Sequence, residues 1–267
     1  MSRSRKRRVK PHFWMLAVLL LLFIFLLFTN PGRYFMSWVF EKTVSEHSSP
    51  EKITRIGIPL PEEYSVFGID VSRYQNNIEW NRVADFKSGR FTVEFVFMKA
   101  TEGTSMKDPQ FSSNWKGAFQ NGIPRGAYHF FRAGLDAEKQ ANHFCRNVKM
   151  QTGDLPPVLD VEEIPAGMNK SELVNAVKVW LQIVERYYRI KPIVYTGANF
   201  YEQYFRGTIV EKYPLWVAHY YQNRPATFAD WKYWQFSDKA SIDGISGPVD
   251  VNVFSGSAAQ LESMRKK

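Results

Sequence analysis

The stretch whose reading decides the fold is "PPVLDVEEIPAGMNKSELVNAVKVWLQIVERYYRIKPIVYTGA", residues 156–198. It opens on a short apolar run, "PPVLDVE" (156–162). The most strongly periodic segment of the chain, "NKSELVNAVKVWLQIVERYY" (169–188), comes next, and a second apolar run, "KPIVYTGA" (191–198), ends it. Runs rich in Val and Ile read as strands buried on both faces, and apolar residues recurring every three to four positions read as a helix packed along one stripe. Strand, helix and strand in that order make a βαβ unit with parallel strands.

Working outward, the same alternation recurs. Upstream lie strand-like runs "VFGIDVSRY" (66–74), "VEFVFMKATEG" (93–103) and "PRGAYHFFRA" (124–133). Helical segments follow each: "EWNRVADFKSG"; "DPQFSSNWKGAFQNG", with Gly122 as its C-cap; and "DAEKQANHFCRNVKM", with Asp136 as its N-cap. Downstream, "NFYEQYFRG" makes one or two turns. The runs "PLWVAHYY" (214–221), "KYWQFSD" (232–238) and "PVDVNVFSG" (248–256) then follow, across gaps holding Pro, Gly, Asn and Asp. Those gaps show little helical pattern, so the tail of the sheet is expected to be hairpin-like. The expected class is α/β: a modified TIM-type barrel of five β/α units followed by three further β-strands. An open doubly wound sheet is the alternative. No Gly-rich phosphate loop follows the first strand, so nucleotide binding has no support.

Composition sets the bounds. The chain has 267 residues, of which 45% are hydrophobic and 16% aromatic, with 8 Trp and 13 Tyr. An aromatic core explains this, and so would a carbohydrate site, since sugars stack their apolar faces on rings. The net charge of +9 is a matter of location. Arg3, Arg5, Lys6, Arg7, Arg8 and Lys10 sit at one end and Arg265, Lys266 and Lys267 at the other. Removing these nine from 35 leaves 26 basic residues against 26 acidic ones, and a neutral body does not bind nucleic acid through a basic face.

The basic segment 1–12 precedes an uncharged run, "FWMLAVLLLLFIFLLF" (13–28), with Tyr34 and Trp38 beyond it. With no small-residue cleavage site after it, residues 13–29 are expected to be a single-pass signal anchor in a bacterial membrane. The basic flank stays inside, which exports the body to the periplasm or cell-wall side. A cleaved signal peptide is the alternative. Residues 30–62 read as a linker, polar over 41–62 where Pro50, Pro59 and Pro61 lie, and 63–267 as the barrel domain. Cys145 is the single cysteine, so no intrachain disulfide forms; its helical context reads as a packing position.

A barrel of this type places its chemistry at the C-terminal strand ends. The polar residues there are Asp70, Glu102, Tyr128 with His129, Asp160 with Glu162, Tyr195, His219, Gln235 and Asp250. Asp160 and Glu162 are two apart on a strand and so point to one side, with Leu159 and Val161 on the other. Their alpha carbons lie roughly 7 Å apart by strand rise. Side chains can close that to about 5 Å, the carboxylate spacing of retaining glycoside hydrolysis. Two close carboxylates do not both ionise cheaply, which separates an acid from a base at one pH. A metal site or a solvated strand end would also fit the pair, although no His stands near it in sequence.

At this point the motifs "GIDVSRYQ", "FVFMKATEGTSMKDPQF", "GAYHFFR", "PPVLDVEE", "PIVYTG", "PLWVAHY", "YWQFSD" and "VDVNVF" resemble, in order and spacing, the glycoside hydrolase family 25 lysozymes, the Chalaropsis-type muramidases. The resemblance covers nearly the whole body after the linker; Met106 departs from the aromatic or Leu usual there. It implies hydrolysis of the β-1,4 bond from N-acetylmuramic acid to N-acetylglucosamine in peptidoglycan, with no cofactor or metal. By resemblance Glu162 is the general acid, kept protonated by Asp160 and by burial. Asp160 is nucleophile or orienter of the substrate's N-acetyl group, and Asp70 and Asp250 hydrogen-bond the sugar and tune the pair. Tyr128, Tyr195 and Trp234 match aromatic positions of the groove, with Gln235 and His219 beside them as substrate contacts, and Glu102 has a structural role. The expected partners are peptidoglycan strands and, through residues 13–29, the membrane; no nucleic acid is expected, and the chain is expected to be a monomer. A non-catalytic glycan-binding barrel, a glycosidase for another N-acetylated glycan, and a tethered structural protein are the rival readings.

Overall fold

The computed structural model describes residues 55–225 and 230–267. The basic segment, the expected anchor at 13–29 and residues 30–54 of the expected linker lie outside the described residues. Among the described residues no helix is long and apolar enough to cross a membrane.

Eight strands close into a barrel: β1 (Val66–Val71), β2 (Phe95–Glu102), β3 (Arg125–Phe130), β4 (Val158–Asp160), β5 (Ile193–Gly197), β6 (Leu215–Ala218), β7 (Trp231–Ala240) and β8 (Val249–Phe254). β1 pairs with β2 on one side and β8 on the other, which completes the ring. From β1 to β7 every neighbouring pair is parallel. β8 runs antiparallel to both β7 and β1. The three further strands are present, but the hairpin-like tail holds for β8 alone. The connection from β6 to β7 is a parallel crossover, and its dozen residues are enough to make one.

The helices α1 (Trp80–Asp85), α2 (Phe111–Gln120), α3 (Ala137–Asn147) and α4 (Lys170–Tyr188) follow the first four strands. α4 begins on a reciprocal cap: the Glu172 amide donates to Asn169 Oδ1 at 3.0 Å, and the Asn169 amide donates to Glu172 Oε2 at 2.8 Å. Its buried stripe is Leu173, Val177, Trp180, Leu181, Val184 and Tyr188, the spacing that one helix face requires. Asp136 caps α3 through the Lys139 amide at 2.9 Å, and Gly122 follows α2 with φ +71, as the sequence led one to expect. Past β5 the chain makes a short turn, Ala198–Phe200, that runs on into a π-helical turn, Tyr201–Phe205. A last helix, α5 (Ala258–Ser263), follows β8.

Strand alternation sorts side chains into two cores. Val66, Phe95, Phe97, Leu155, Val158, Ile193, Tyr195, Trp216, Tyr233, Phe254 and Leu261 pack together inside the barrel. Phe67, Ile69, Val96, Met98, Leu159, Val161, Val194, Val217, Trp234 and Val251, on the intervening positions, pack outward with the helices. The inner core is crowded with rings, and two glycines make room for them. A Cβ on Gly68 would sit 2.4 Å from the Phe95 ring, and one on Gly126 2.4 Å from the Phe97 ring. Cys145 is buried in the outer core, where burial pushes its thiol up to about 11, an inert packing position.

Residues 55–62, read from sequence as the end of a linker, lie against the barrel. Ile56 is fully buried, its amide donates to Ser88 Oγ at 3.1 Å and its carbonyl accepts from the Ser241 amide at 2.9 Å. The Arg90 guanidinium gathers the carbonyls of Leu60, Pro61, Glu62 and Tyr64.

Candidate active site

Above the ringed inner core lies a polar layer. A cleft of about 180 Å³ opens there, lined by Asp70, Tyr128, Asp160, Glu162, Tyr195, Trp216, Tyr220, Gln235 and Asp250. The backbone explains the convergence. Asp160 is the last residue of β4, and its alternation with Leu159 and Val161 in the outer core aims it inward. Asp70 and Tyr195 occupy the same inner phase on β1 and β5. Asp250 reaches this end by a different route, since β8 is antiparallel and its second residue is the partner of Asp70. A wider groove of about 500 Å³ beside Glu163 is lined by Arg132, Gly134, Leu135, Ile164 and Pro165, and none of the four expected catalytic carboxylates lines it.

One hydrogen-bond network organises the layer. Gln235 Nε2 donates to Asp70 Oδ2 at 2.7 Å, and Asn252 Nδ2 donates to the same oxygen at 2.8 Å. Gln235 Oε1 in turn accepts from Tyr195 and from Tyr220, each at 2.7 Å. Asn252 Oδ1 accepts from Trp216 Nε1 at 2.8 Å. Every amide here is held at both ends, so the orientation of each is dictated by its partners.

The carboxylates are held well away from their ordinary titration. Burial raises Asp160 well above the usual carboxylate range, and repulsion by Glu162 together with a hydrogen bond to it adds to this. Asp160 Oδ1 is buried without a hydrogen-bond partner among the described residues. Burial raises Asp70 to about 6 against the pull of its two amide donors, with Glu162 adding to the rise. Asp250 is raised to about 8, by burial first and then by Asp70, Asp238 and Glu162. Tyr128 and Tyr195 are likewise raised, first by burial; the surrounding carboxylates come next for Tyr128, and Tyr220 followed by the carboxylates for Tyr195. Glu162 itself is exposed. The burial that the sequence reading placed at Glu162 falls on Asp160 instead.

Of the nine expected site residues, Glu162, Asp160, Asp70, Asp250, Tyr128, Tyr195 and Gln235 line the cleft, whereas Trp234 and His219 do not. Trp234 is fully buried on the opposite face of β7 from Gln235, packed in the outer core, and its Nε1 donates to the His219 carbonyl at 2.9 Å. His219 continues the outward phase of Leu215 and Val217 on β6. The same alternation, applied to "PLWVAHYY", would have picked out Trp216, and Asn252 follows from Asp250 in "VDVNVF". Tyr220, past the strand end, keeps the inward phase of Trp216 and Ala218, so the same count would have reached it.

Three other titratable residues near the strand ends have partners of their own. Glu102 accepts from Lys99 at 2.7 Å and from Arg132 Nε at 3.0 Å; burial opposes its ionisation, but these donors hold it below the usual range. Glu163 is exposed and pairs with Arg132 at 2.6 Å. His129 points away from the cleft, stacked on Trp180 at 5.7 Å, and burial lowers it to about 3, so it stays neutral. Among the described residues no group of three or more His, Cys, Asp or Glu side chains is arranged to hold a metal ion.

Comparison with known proteins bears on this arrangement. The family model described as glycosyl hydrolases family 25 matches residues 69–245. The chain is 45% identical over 212 residues to the uncharacterized protein YegX of Escherichia coli (strain K12), covering 79% of this chain and 77% of that one. It is 37% identical over 211 residues to Lysozyme M1 of Streptomyces globisporus, covering 73% and 70%. Among solved structures it is similar to the bacterial lysozyme from Streptomyces coelicolor, with a TM-score of 0.69 and 33% identity over 76% of this chain and 97% of that one. It is also similar to a family 25 glycosyl hydrolase from Bacillus anthracis, with a TM-score of 0.70 and 28% identity over 81% and 98%.

Proposed function

The chain belongs to glycosyl hydrolases family 25, and from that premise we propose that it is a lysozyme, cutting the β-1,4 bond between N-acetylmuramic acid and N-acetylglucosamine in peptidoglycan with retention. The observation that carries the reading is the pairing of buried Asp160 with exposed Glu162 over a cleft walled by Tyr128, Tyr195, Trp216 and Tyr220.

In this mechanism the Asp160–Glu162 pair shares one proton, held in the free enzyme by Asp160 because Asp160 is the buried member. Substrate covers Glu162 and removes it from water, and the shared proton passes to Glu162. Glu162 then donates it to the glycosidic oxygen as the bond from C1 breaks. The acetamide carbonyl oxygen of the substrate forms the new bond to C1, while Asp160, now ionised, accepts from the acetamide N–H. One feature supports the acetamide over Asp160 as nucleophile: the unpartnered Oδ1 of Asp160 suits an N–H donor. In the second step Glu162 takes a proton from water, water attacks C1, and the acetamide leaves. Asp70 and Asp250 face the positive charge that develops at the sugar.

The finer placement rests on the N-terminal sequence. A basic segment, residues 1–12, followed by the uncharged run at 13–29, supports a single-pass anchor with the barrel exported toward the wall. The decisive experiment uses the purified chain on isolated peptidoglycan: new reducing muramic ends are expected from wild type and none from Glu162→Gln. A wild type inert on several peptidoglycans overturns the reading. For the anchor, a native N-terminus beyond residue 28 would show cleavage instead.

A further inference from the structure

Six large apolar or aromatic side chains are exposed among the described residues, and Tyr221, 56% exposed, is the one adjoining the cleft through its chain neighbour. Tyr220 lines the cleft and donates to Gln235, whereas Tyr221 turns the other way along β7. The turn between them is made at a cost. Tyr221 has φ +57, a left-handed conformation that bulky side chains avoid. Among the described residues the other non-glycine positions with positive φ are Asn76, which ends a 3-10 turn, and Arg189, which caps α4. Tyr221 ends no helix.

The strained residue is also pinned. Its amide donates to the Phe236 carbonyl at 3.1 Å, its hydroxyl donates to Asp238 Oδ1, and Lys239 Nζ lies 4.4 Å from the ring centroid. Two restraints on the exposed ring and one on its backbone, in a conformation that opposes them, fix an aromatic surface in water. Burial cannot be the gain, since more than half of the residue stays exposed. With Lys239 near the ring and more than half of the residue exposed, Tyr221 presents aromatic surface to solvent. A ring held rigid before contact loses little conformational freedom on binding.

We infer that Tyr221 is a sugar platform outside the catalytic cleft, on which the apolar face of an N-acetylhexosamine of the same glycan strand stacks. The inference rests on the lysozyme reading and extends it. Its ring is 6.0 Å from that of Tyr220, centroid to centroid, so the sugar on it lies beyond those held between the carboxylates. Tyr221 then selects for long strands and binds without taking part in bond cleavage.

The test compares full-length wild type with Tyr221→Asn and Tyr221→Trp on long glycan strands and on a short aryl glycoside of the same repeat. Asn tolerates a left-handed backbone, so Tyr221→Asn removes the ring while relieving the strain. The expected result is a fall of about tenfold in the ratio of kcat/KM on strands to kcat/KM on the short glycoside, carried by KM, with the melting temperature not lowered. Tyr221→Trp, which restores a flat apolar face, should recover most of the ratio. An unchanged ratio in Tyr221→Asn, whatever happens to the melting temperature, marks a surface tyrosine only and overturns the inference while leaving the lysozyme reading intact. A wild type inert on strands and short glycoside alike removes both.

Discussion

Asp70 and Asp250 stand opposite one another as paired residues of antiparallel strands, so carboxylates 180 positions apart in the chain meet at the mouth of the barrel. One belongs to the end of the first barrel strand and the other to the start of the last. Closing the barrel and assembling the site are therefore the same event.

That closeness has a consequence in pH. Asp250 titrates near 8 in the folded protein and Asp70 near 6, both above the roughly 3.9 of an unfolded Asp. Between those values the folded state binds more protons than the unfolded one, so this contribution to stability is complete below about pH 4 and lost as pH rises toward 8. In thermal melts, Asp250→Asn should gain several degrees over wild type at pH 9, at about 2–4 °C per kcal/mol, with little gain at pH 5. Equal shifts at both pH values would contradict the assignment.

Removing Glu162 should separate acid catalysis from binding. Glu162→Ala is expected to slow hydrolysis of natural strands by about 10²–10⁴. With an activated aryl leaving group, which needs little protonation, the loss should be much smaller. Steady-state kinetics on the two substrates reads the difference, and equal losses would take the acid role away from Glu162.

The titration of Asp160 offers a spectroscopic check. Glu162→Gln removes the repulsion that adds to burial, so Asp160 should titrate lower than in wild type yet remain above the usual range, because the burial persists. Carboxyl carbon NMR across pH follows this directly. No movement on removal of Glu162 would mean the two groups are not coupled.

A substrate lacking the N-acetyl carbonyl distinguishes the two nucleophiles. If the acetamide forms the bond to C1, de-N-acetylated strands should be cut at least about 10²-fold more slowly, as expected for loss of a positioned reacting group. Retained turnover on such strands would hand the nucleophile role to Asp160.

Gln235 and its chain neighbour Trp234 make opposite predictions. Gln235→Leu leaves Asp70 without one donor and two tyrosine hydroxyls without their acceptor, so both activity and about 1–3 kcal/mol of stability should be lost. Trp234→Phe breaks one bond to the His219 carbonyl in the outer core. It should lower stability by about 1 kcal/mol and leave KM unchanged. A raised KM in Trp234→Phe would place that ring in the groove after all.

The barrel was legible because "PPVLDVE", "KPIVYTGA" and their counterparts carry buried-strand composition with helical stripes between them. Asp160, Asp70 and Tyr195 could be found by counting along strands from that reading. Direction was harder to see. Nothing local distinguishes the parallel crossover into β7 from a hairpin, because a dozen residues without a helical pattern serve either. Phase was not applied to Trp234, on β7, or to His219, just past β6, whose neighbours Gln235 and Ala218 face inward. The protonation of the pair was out of reach, since it depends on which carboxylate is buried, and both look alike in "LDVEE".

The division of every barrel strand between an inner and an outer core limits how such a protein can change over generations. A codon gained in or lost from β4 would rotate Leu159 into the mouth and bury Asp160 among the helices, turning an enzyme inside out with the rest of its sequence unchanged. Lineages of this barrel should therefore vary in length only between strands. The helices and the turns at the end away from the carboxylates are free to drift, while the strand lengths stay as they were inherited.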